Sequence, residues 1–588
     1  MSPGRIGVDT GGTFTDVVTD TGQILKLDSI PADPAQPVRA AIGRIGRATV
    51  LAHGTTVATN ALLERRGGRV ALISSEGQRD VIEIARQSRP SLYDLWADRP
   101  APLVGRPLRF EVPGRMDAAG KEVAPPGSAP DLPRGLDAVA ICLLHADRNP
   151  GHERGLRAAL VGHTVVCSSD VSPEYREYER TVTTVADAYL QAPCTAYLTA
   201  LQPLADEVLV MTSAAGLVPL SAAVAHPVSL LLSGPAGGVL AASAAATAAG
   251  FADCVTLDMG GTSTDVCLIR DSRPEPAAER RVAGLPIRMP SLDVHTIGAG
   301  GGSIATIDPG GALVVGPRSA GADPGPVCYG RGGRQATVTD ADLVAGHMAP
   351  DGIGGLGRLH RDEARRALES AGLTAAGVIA VVDQAMVQAV RVVSVQRGVD
   401  PAGLALVAFG GAGPLHACAL AEALGMPAVV VPPRAGVLSA VGLLGAPRQV
   451  DLVRSWPDPA DHAGAQAAAM ALGREAAATA GASVEAALDC RYVGQSHELT
   501  VALVAAFGAE HARRYGFEMV DAPVEVVALR ATARWPSPFD PGSLAVPERS
   551  GPVFGPGAVA EPDCTVWVAP GWRADAHPSG SWVMTRAD

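Results

Sequence analysis

Asp9-Thr10-Gly11-Gly12-Thr13-Phe14-Thr15-Asp16 follows the apolar run Ile6-Gly7-Val8 and precedes Val17-Val18 and a turn signal at Thr21-Gly22. The order reads strand, Gly-Gly turn, strand. Adjacent glycines let backbone N–H groups approach a phosphate with no Cβ in the way. Threonine hydroxyls add donors, and the aspartates offer the hard oxygens that Mg²⁺ takes together with phosphate oxygens and water. A plain hairpin also favours Gly and Asp, so a single copy would be weak support. The stretch recurs 249 residues later as Asp258-Met259-Gly260-Gly261-Thr262-Ser263-Thr264-Asp265, with six of eight positions identical, between Val255-Thr256-Leu257 and Val266-Cys267-Leu268-Ile269. A repeat at this distance predicts two similar domains facing each other, each with an Asp-bearing hairpin turned to the same metal–nucleotide.

That arrangement resembles the superfamily of actin, the heat-shock chaperone ATPases and the acetate and sugar kinases. There, two such hairpins hold the β- and γ-phosphates of ATP, and two aspartates hold Mg²⁺ through water. The resemblance implies an α/β fold class: an actin-like ATPase core of two lobes plus a small C-terminal α+β domain. The expected domains are 1–192 with the first hairpin, 193–450 with the second, and 451–588. By the same resemblance Asp9 and Asp258 are the metal residues. Gly11, Gly12, Thr13, Thr15, Gly260, Gly261, Thr262 and Thr264 take the phosphates. Gly410, Gly411 and Gly413, after the strand Leu404–Phe409, fall where the superfamily's adenosine-binding turn belongs; read alone, they are equally a tight strand–helix turn.

Composition narrows the chemistry. A chain of 588 residues predicts several domains, and 47% hydrophobic residues with only 4% aromatics predict cores of Ala, Val and Leu. A net charge of −12 and a pI near 5.6, with no basic stripe, argue against a nucleic-acid binder. Lysine occurs only at Lys26 and Lys121, so nearly all of the 48 basic residues are arginine. Neither lysine forms Gly-Lys-Ser/Thr, which excludes a P-loop. A Schiff-base enzyme would have only two possible nucleophiles. Charge on a transferring phosphoryl group is then expected to fall to Mg²⁺, arginine and backbone N–H groups. The nine cysteines are scattered without Cys-x-x-Cys, which argues against a zinc ribbon or a redox dithiol. With no leader pattern and no apolar run of ~20 residues, the expectation is a cytoplasmic protein with no membrane or nucleic-acid partner.

Three further candidates stand outside the hairpins. His53-Gly54-Thr55-Thr56 either aims an imidazole and two hydroxyls into the cleft or starts a helix with His53 in the core. Glu177 and Arg180 lie one turn apart on a helix expected over Tyr175–Leu190, capped by Ser172-Pro173-Glu174. They are either substrate-side residues or an exposed i,i+3 ion pair. The Gly/Pro-dense runs 297–304 and 316–326 predict a rigid loop against something that must approach backbone.

Longer stretches carry a family resemblance: HGTTVATNALLERRG from His53, SRPSLYDL from Ser88, SPEYREYERTVTTVADAYL from Ser172, HTIGAGGGSIA from His295, VGPRSAGADPGPVCYG from Val315 and VAFGGAGPLHA from Val407. With the two hairpin stretches, they resemble in order, from residue 8 to about 445, the A-type subunits of the ATP-dependent hydantoinase/oxoprolinase family. The family includes N-methylhydantoinase subunits, 5-oxoprolinases and related subunits of acetone and acetophenone carboxylases. The resemblance implies Mg-ATP, a hydantoinase B-type partner subunit, and a cyclic amide (hydantoin, 5-oxoproline or lactam) opened by phosphorylation of its amide oxygen. Asp9, Asp258, His53, Glu177 and Arg180 are the expected catalytic residues. The alternatives are a subunit of an ATP-dependent carboxylase, or a nucleotide-driven switch of the actin or chaperone kind. The chain reads as shorter than most A-type subunits of the family, around 105–135, 345–360 and 455–480.

Overall fold

The computed structural model describes residues 3–587 apart from 31, 278, 352–356 and 547, so part of the expected 345–360 shortening lies outside the described residues. Each of the two like stretches opens a like sheet unit. In the first, β1 (Arg5–Thr10), β2 (Phe14–Thr19) and β3 (Ile24–Asp28) form an antiparallel meander. β4 (Ala48–Thr55) and then β5 (Ala205–Met211) add in parallel on the other side of β1. In the second, β6 (Cys254–Met259), β7 (Thr264–Arg270) and β8 (Arg273–Pro274) repeat the meander. β9 (Ala405–Phe409) and β10 (Val429–Val431) repeat the parallel pair beside β6. The spatial order is third, second, first, fourth, fifth in both units. The parallel strands carry near-continuous apolar runs because both faces are covered; every residue of β9 is buried. The chain is a mixed α/β protein.

The C-terminal residues do not stand apart as a separate sheet. Strands Leu217–Pro219, Arg448–Ser455, Ser483–Tyr492, Leu499–Val501 and Val524–Trp535 extend the first sheet to ten strands, while Trp572–Ala576 and Trp582–Arg586 extend the second beside β10. The expected boundary at 192 falls within the helix Glu177–Leu201, and that at 451 within the strand Arg448–Ser455. These pairings are set by backbone ladders between distant segments, which local composition does not record. Residues 465–531 do bury a small core of their own around Leu472, Leu488, Phe507 and Val526.

The helix Glu177–Leu201 begins after Arg176, whose φ of 78° is left-handed, and has no side-chain cap, so the expected cap at 172–174 is not formed. The segment Ala375–Arg397 is long and apolar enough to cross a membrane by length and composition, contrary to the expectation that no such run exists; half of it is buried. Val378, Val382, Met386 and Val390 on it belong to the core of the second unit. Helices Gly234–Ala248 and Leu438–Gly445 cross where a Cβ on Gly442 would lie 1.8 Å from the Gly237 carbonyl oxygen. Glycine at that contact brings the two backbones together beneath the cleft between the hairpins.

Candidate active site

The hairpins are built alike. Asp9 faces Asp16 across β1–β2, and Asp258 faces Asp265 across β6–β7. Gly11 N donates to Phe14 O at 3.0 Å, and Gly260 N donates to Ser263 O at 3.1 Å. These first glycines therefore spend their N–H groups on closing the turn. The N–H groups of Gly12, Thr13, Gly261 and Thr262 have no hydrogen-bond partner among the described residues. The tips meet, with Thr13 Oγ1 3.3 Å from Thr262 Oγ1. A Cβ on Gly261 would lie 2.6 Å from Thr13 Oγ1, so a larger residue would close the gap.

A cavity of about 230 Å³ opens along these tips. Asp9, Asp16, Asp258 and Asp265 line it, with Gly11, Gly12, Thr13, Gly260, Gly261 and Thr262. Gly410 and Gly411 line it as well, with Tyr329, Met348 and Leu415 nearby. Gly410 has φ 80°, and a Cβ there would meet Asp258 Oδ1 at 2.5 Å, so the turn must be glycine both for its backbone and for its contact. The Gly/Pro-dense loop approaches this same backbone: Gly301 N donates to Gly260 O and Gly302 N to Gly261 O, at 2.9 and 2.7 Å.

The carboxylates carry unmet charge. Burial, then Asp16, push Asp9 up to about 7, against the pull of Lys26. Burial pushes Asp265 up to about 6. Asp258 is raised well above the usual carboxylate range by burial, then by Asp265, Asp9 and Asp16. Asp9 Oδ1 is buried without a partner. Such a cluster fits a divalent cation. Among the described residues no three acidic, His or Cys groups form a closed metal cage.

The structure does not bring the other expected residues here. His53 is fully buried; its Nδ1 lies 3.1 Å from Val8 O and its Nε2 2.7 Å from Tyr197 Oη. The carbonyl requires a proton on Nδ1, so Nε2 accepts from the tyrosine and the ring is neutral; burial lowers its pKa to about 4. His53 is a satisfied core histidine rather than a catalytic one. Arg180 is fully buried rather than exposed, with Nη1 2.5 Å from Asp147 Oδ1 and Nη2 2.8 Å from Leu143 O. Glu177 and Arg180 instead share a separate cavity of about 10 Å³ with Ser74 and Cys142, room for about one water. Thr15 and Thr264 are buried beneath the tips and bond Ser29 Oγ and Ala299 O, because alternate residues of a strand face opposite sides. Gly413 opens the helix Gly413–Leu424 against Leu257 O and does not line the cavity.

Sequence reasoning missed Lys26, Ser439 and Asp563. Lys26 Nζ lies 2.6 Å from Asp16 Oδ1, and Asp563 accepts from Gly436 N at 2.6 Å. Lys26 had a signal: it is the cross-strand partner of Asp16 in the meander. Ser439 and Asp563 come from distant segments. No arginine lines the cavity among the described residues, contrary to the expectation that arginine meets phosphoryl charge.

The family model described as hydantoinase/oxoprolinase matches residues 180–450, and that of the hydantoinase/oxoprolinase N-terminal region matches residues 5–161. The chain belongs to the hydantoinase/oxoprolinase family. The alpha subunit of caprolactamase from Pseudomonas jessenii is 32% identical over 99% of both chains. The alignment runs over 689 positions, so this hydantoinase/oxoprolinase chain of 588 residues lacks segments that the relative has. A chain of the crystal structure of ATP-dependent caprolactamase from that organism matches with TM-score 0.84 at 30% identity, over 99% of this chain and 100% of that one. Arabidopsis thaliana 5-oxoprolinase 1 is 34% identical over 75% of this chain and 41% of its own length. The acetophenone carboxylase gamma subunit of Aromatoleum aromaticum is 34% identical over 74% of this chain and 67% of its own.

Proposed function

We propose that this chain is the ATP-using subunit of a cyclic-amide hydrolase of the hydantoinase/oxoprolinase kind, acting with a B-type partner subunit. The observation that carries the reading is the pair of facing hairpins, each offering free backbone N–H groups and two half-buried carboxylates to one cavity. The repeated five-strand unit supports an ATPase of the actin-like kind. Asp9 and Asp258 would hold Mg²⁺, which when bound neutralises phosphate charge. The N–H groups of Gly12, Thr13, Gly261 and Thr262 cradle the phosphates. Gly410, Gly411, Tyr329 and Met348 flank the nucleoside.

A lactam carbonyl resists water. Its oxygen attacks the γ-phosphorus as the bond from phosphorus to the β,γ-bridging oxygen breaks, and that electron pair leaves with ADP. Water adds to the activated carbon; the ring C–N bond breaks, with its pair and a proton going to nitrogen. A second water releases phosphate from the acyl phosphate that results. This chain conducts the phosphoryl transfer, and its partner helps the ring to open.

The identity to the acetophenone carboxylase subunit favours a second reading, in which ATP activates a carboxylation. ADP release by the complex of both subunits, across lactams, hydantoins and 5-oxoproline with bicarbonate varied separately, tests both. Amide-stimulated release without bicarbonate is the expected result. Release that needs bicarbonate and a ketone replaces the hydrolase reading by the carboxylase, and no stimulated release overturns both.

A further inference from the structure

The cavity holds four hairpin carboxylates and Asp563, and Lys26 is the only Lys or Arg among the described residues that line it. ATP adds several more negative charges, of which a single Mg²⁺ offsets two. Phosphoryl transfer spreads charge over the phosphoryl oxygens and the departing bridge oxygen, and catalysis consists largely of meeting that charge with preplaced donors.

Lys26 is placed for this by its strand. Its cross-strand pairing with Asp16 sets it on the carboxylate face of the meander. Its ammonium lies 2.6 Å from Asp16 Oδ1 and 3.4 Å from Gly436 O, and 5.1 Å from the centroid of the Phe14 ring. An ammonium has three protons to donate. Asp16 takes one, Gly436 O takes a second at long range, and the third has no acceptor among the described residues.

The residue type is informative as well. The chain uses arginine at all but two of its 48 basic positions, and the other lysine, Lys121, is exposed in a turn. A guanidinium at position 26 would fork onto the Asp16 carboxylate with two bonds and be held there. A compact ammonium on a flexible stem can share its protons between Asp16 and a second oxygen.

We propose that Lys26 is a catalytic residue of this cleft, donating to the transferring phosphoryl group while Asp16 keeps it in place. The inference rests on the nucleotide reading above. It supplies the positive side chain that the arginine-rich composition suggested would be arginine.

The test uses the complete complex carrying Lys26→Met and Lys26→Arg. It reads amide-stimulated ADP release, single-turnover phosphoryl transfer, and the Kd for a fluorescent ATP analogue with Mg²⁺. The expected result for Lys26→Met is a fall of ~10²–10³-fold in the transfer rate, with Kd changed by no more than about fivefold. Lys26→Arg keeps the ion pair to Asp16, and with it the fold, and is expected to be slow as well. Arginine restoring the wild-type rate would overturn the proposal, since Lys26 would then serve only to neutralise Asp16. Lys26→Met within tenfold of wild type would also overturn it, as would a loss confined to Kd. A wild-type complex that binds no ATP refutes the nucleotide reading itself, an outcome distinct from active wild type with an active Lys26→Met.

Discussion

The two hairpins share their backbone, their register and six of eight residues, but not their surroundings. The first is electrically tended: Lys26 sits on Asp16, and the pull of that ammonium reaches Asp9. The second is mechanically tended: Gly301 and Gly302 fasten the carbonyls of its tip, and the Thr296 hydroxyl bonds Asp265. Among the described residues neither Asp258 nor Asp265 has an ion-pair partner, and the Ser439 hydroxyl reaches Asp258 only at 3.5 Å. A duplicated unit has thus divided the work. One copy balances charge, while the other holds a rigid, under-compensated carboxylate where a divalent cation gains most.

If that division holds, Asp258→Asn should have the largest effect. Loss of a metal-holding carboxylate should cost several kcal/mol of transition-state stabilisation, so ADP release should fall by roughly 10²–10³-fold. The metal-free protein should meanwhile melt higher, because the folded state no longer bears the cost of keeping Asp258 either protonated or charged beside three other carboxylates. A rate within tenfold of wild type, alongside an unchanged Tm, would remove Asp258 from the site.

Asp9→Asn probes the other copy. It should also slow ADP release, yet raise the metal-free Tm by less than Asp258→Asn, since Lys26 already offsets part of the charge at Asp9. Equal rises in calorimetry would mean that the hairpins are electrostatically alike.

The pH dependence follows from the same carboxylates. Asp9 near 7 and Asp265 near 6 stand above the ordinary aspartate value of about 3.9, so the folded protein holds protons there that the unfolded chain has released. Their contribution to stability is full below about pH 4 and lost as pH rises to about 7. If Mg²⁺ binds as proposed it replaces those protons, so its effect on Tm should grow between pH 5 and pH 8. His53 has the opposite sign, but it acts with and without metal and cancels in the difference. A Mg²⁺-induced shift that stays flat over this range would mean that these carboxylates do not hold the ion.

The smallest effects separate the tip of one hairpin from the strand beneath it. Thr262→Val should raise the KM for ATP about fivefold, for one lost hydrogen bond of roughly 1 kcal/mol, and lower Tm less than Thr264→Val, since its hydroxyl has only the long contact to Thr13 to lose. Thr264→Val should lower Tm by removing the donor to Ala299 O and leave KM alone. The reverse pattern in steady-state kinetics and melting would place the phosphate face on the other side of the hairpin.

Both hairpins, their glycine turns and the duplication are legible in the residues alone, because they follow from short stretches whose backbone preferences are local. Lys26 is legible too, since a meander through Thr21-Gly22 pairs it with Asp16. His53 is not: a strand ending in His-Gly-Thr-Thr presents alternate residues to opposite faces, and only packing against Tyr197, far along the chain, decides which face is core. Arg180 likewise depends on Asp147 and Leu143 to enclose it.

The repeated strand–turn–strand units, the family and the phosphate-type tips are written in the chain itself, because turn geometry and strand alternation are encoded within a few residues. That the tips meet, and that their four carboxylates share one cavity, is a result of packing. Packing also makes Ser439 and Asp563 part of the cavity wall and commits His53, Arg180, Thr15 and Thr264 to the interior. Those outcomes depend on which surfaces are buried together by segments hundreds of residues apart, and burial is a property of the packed whole.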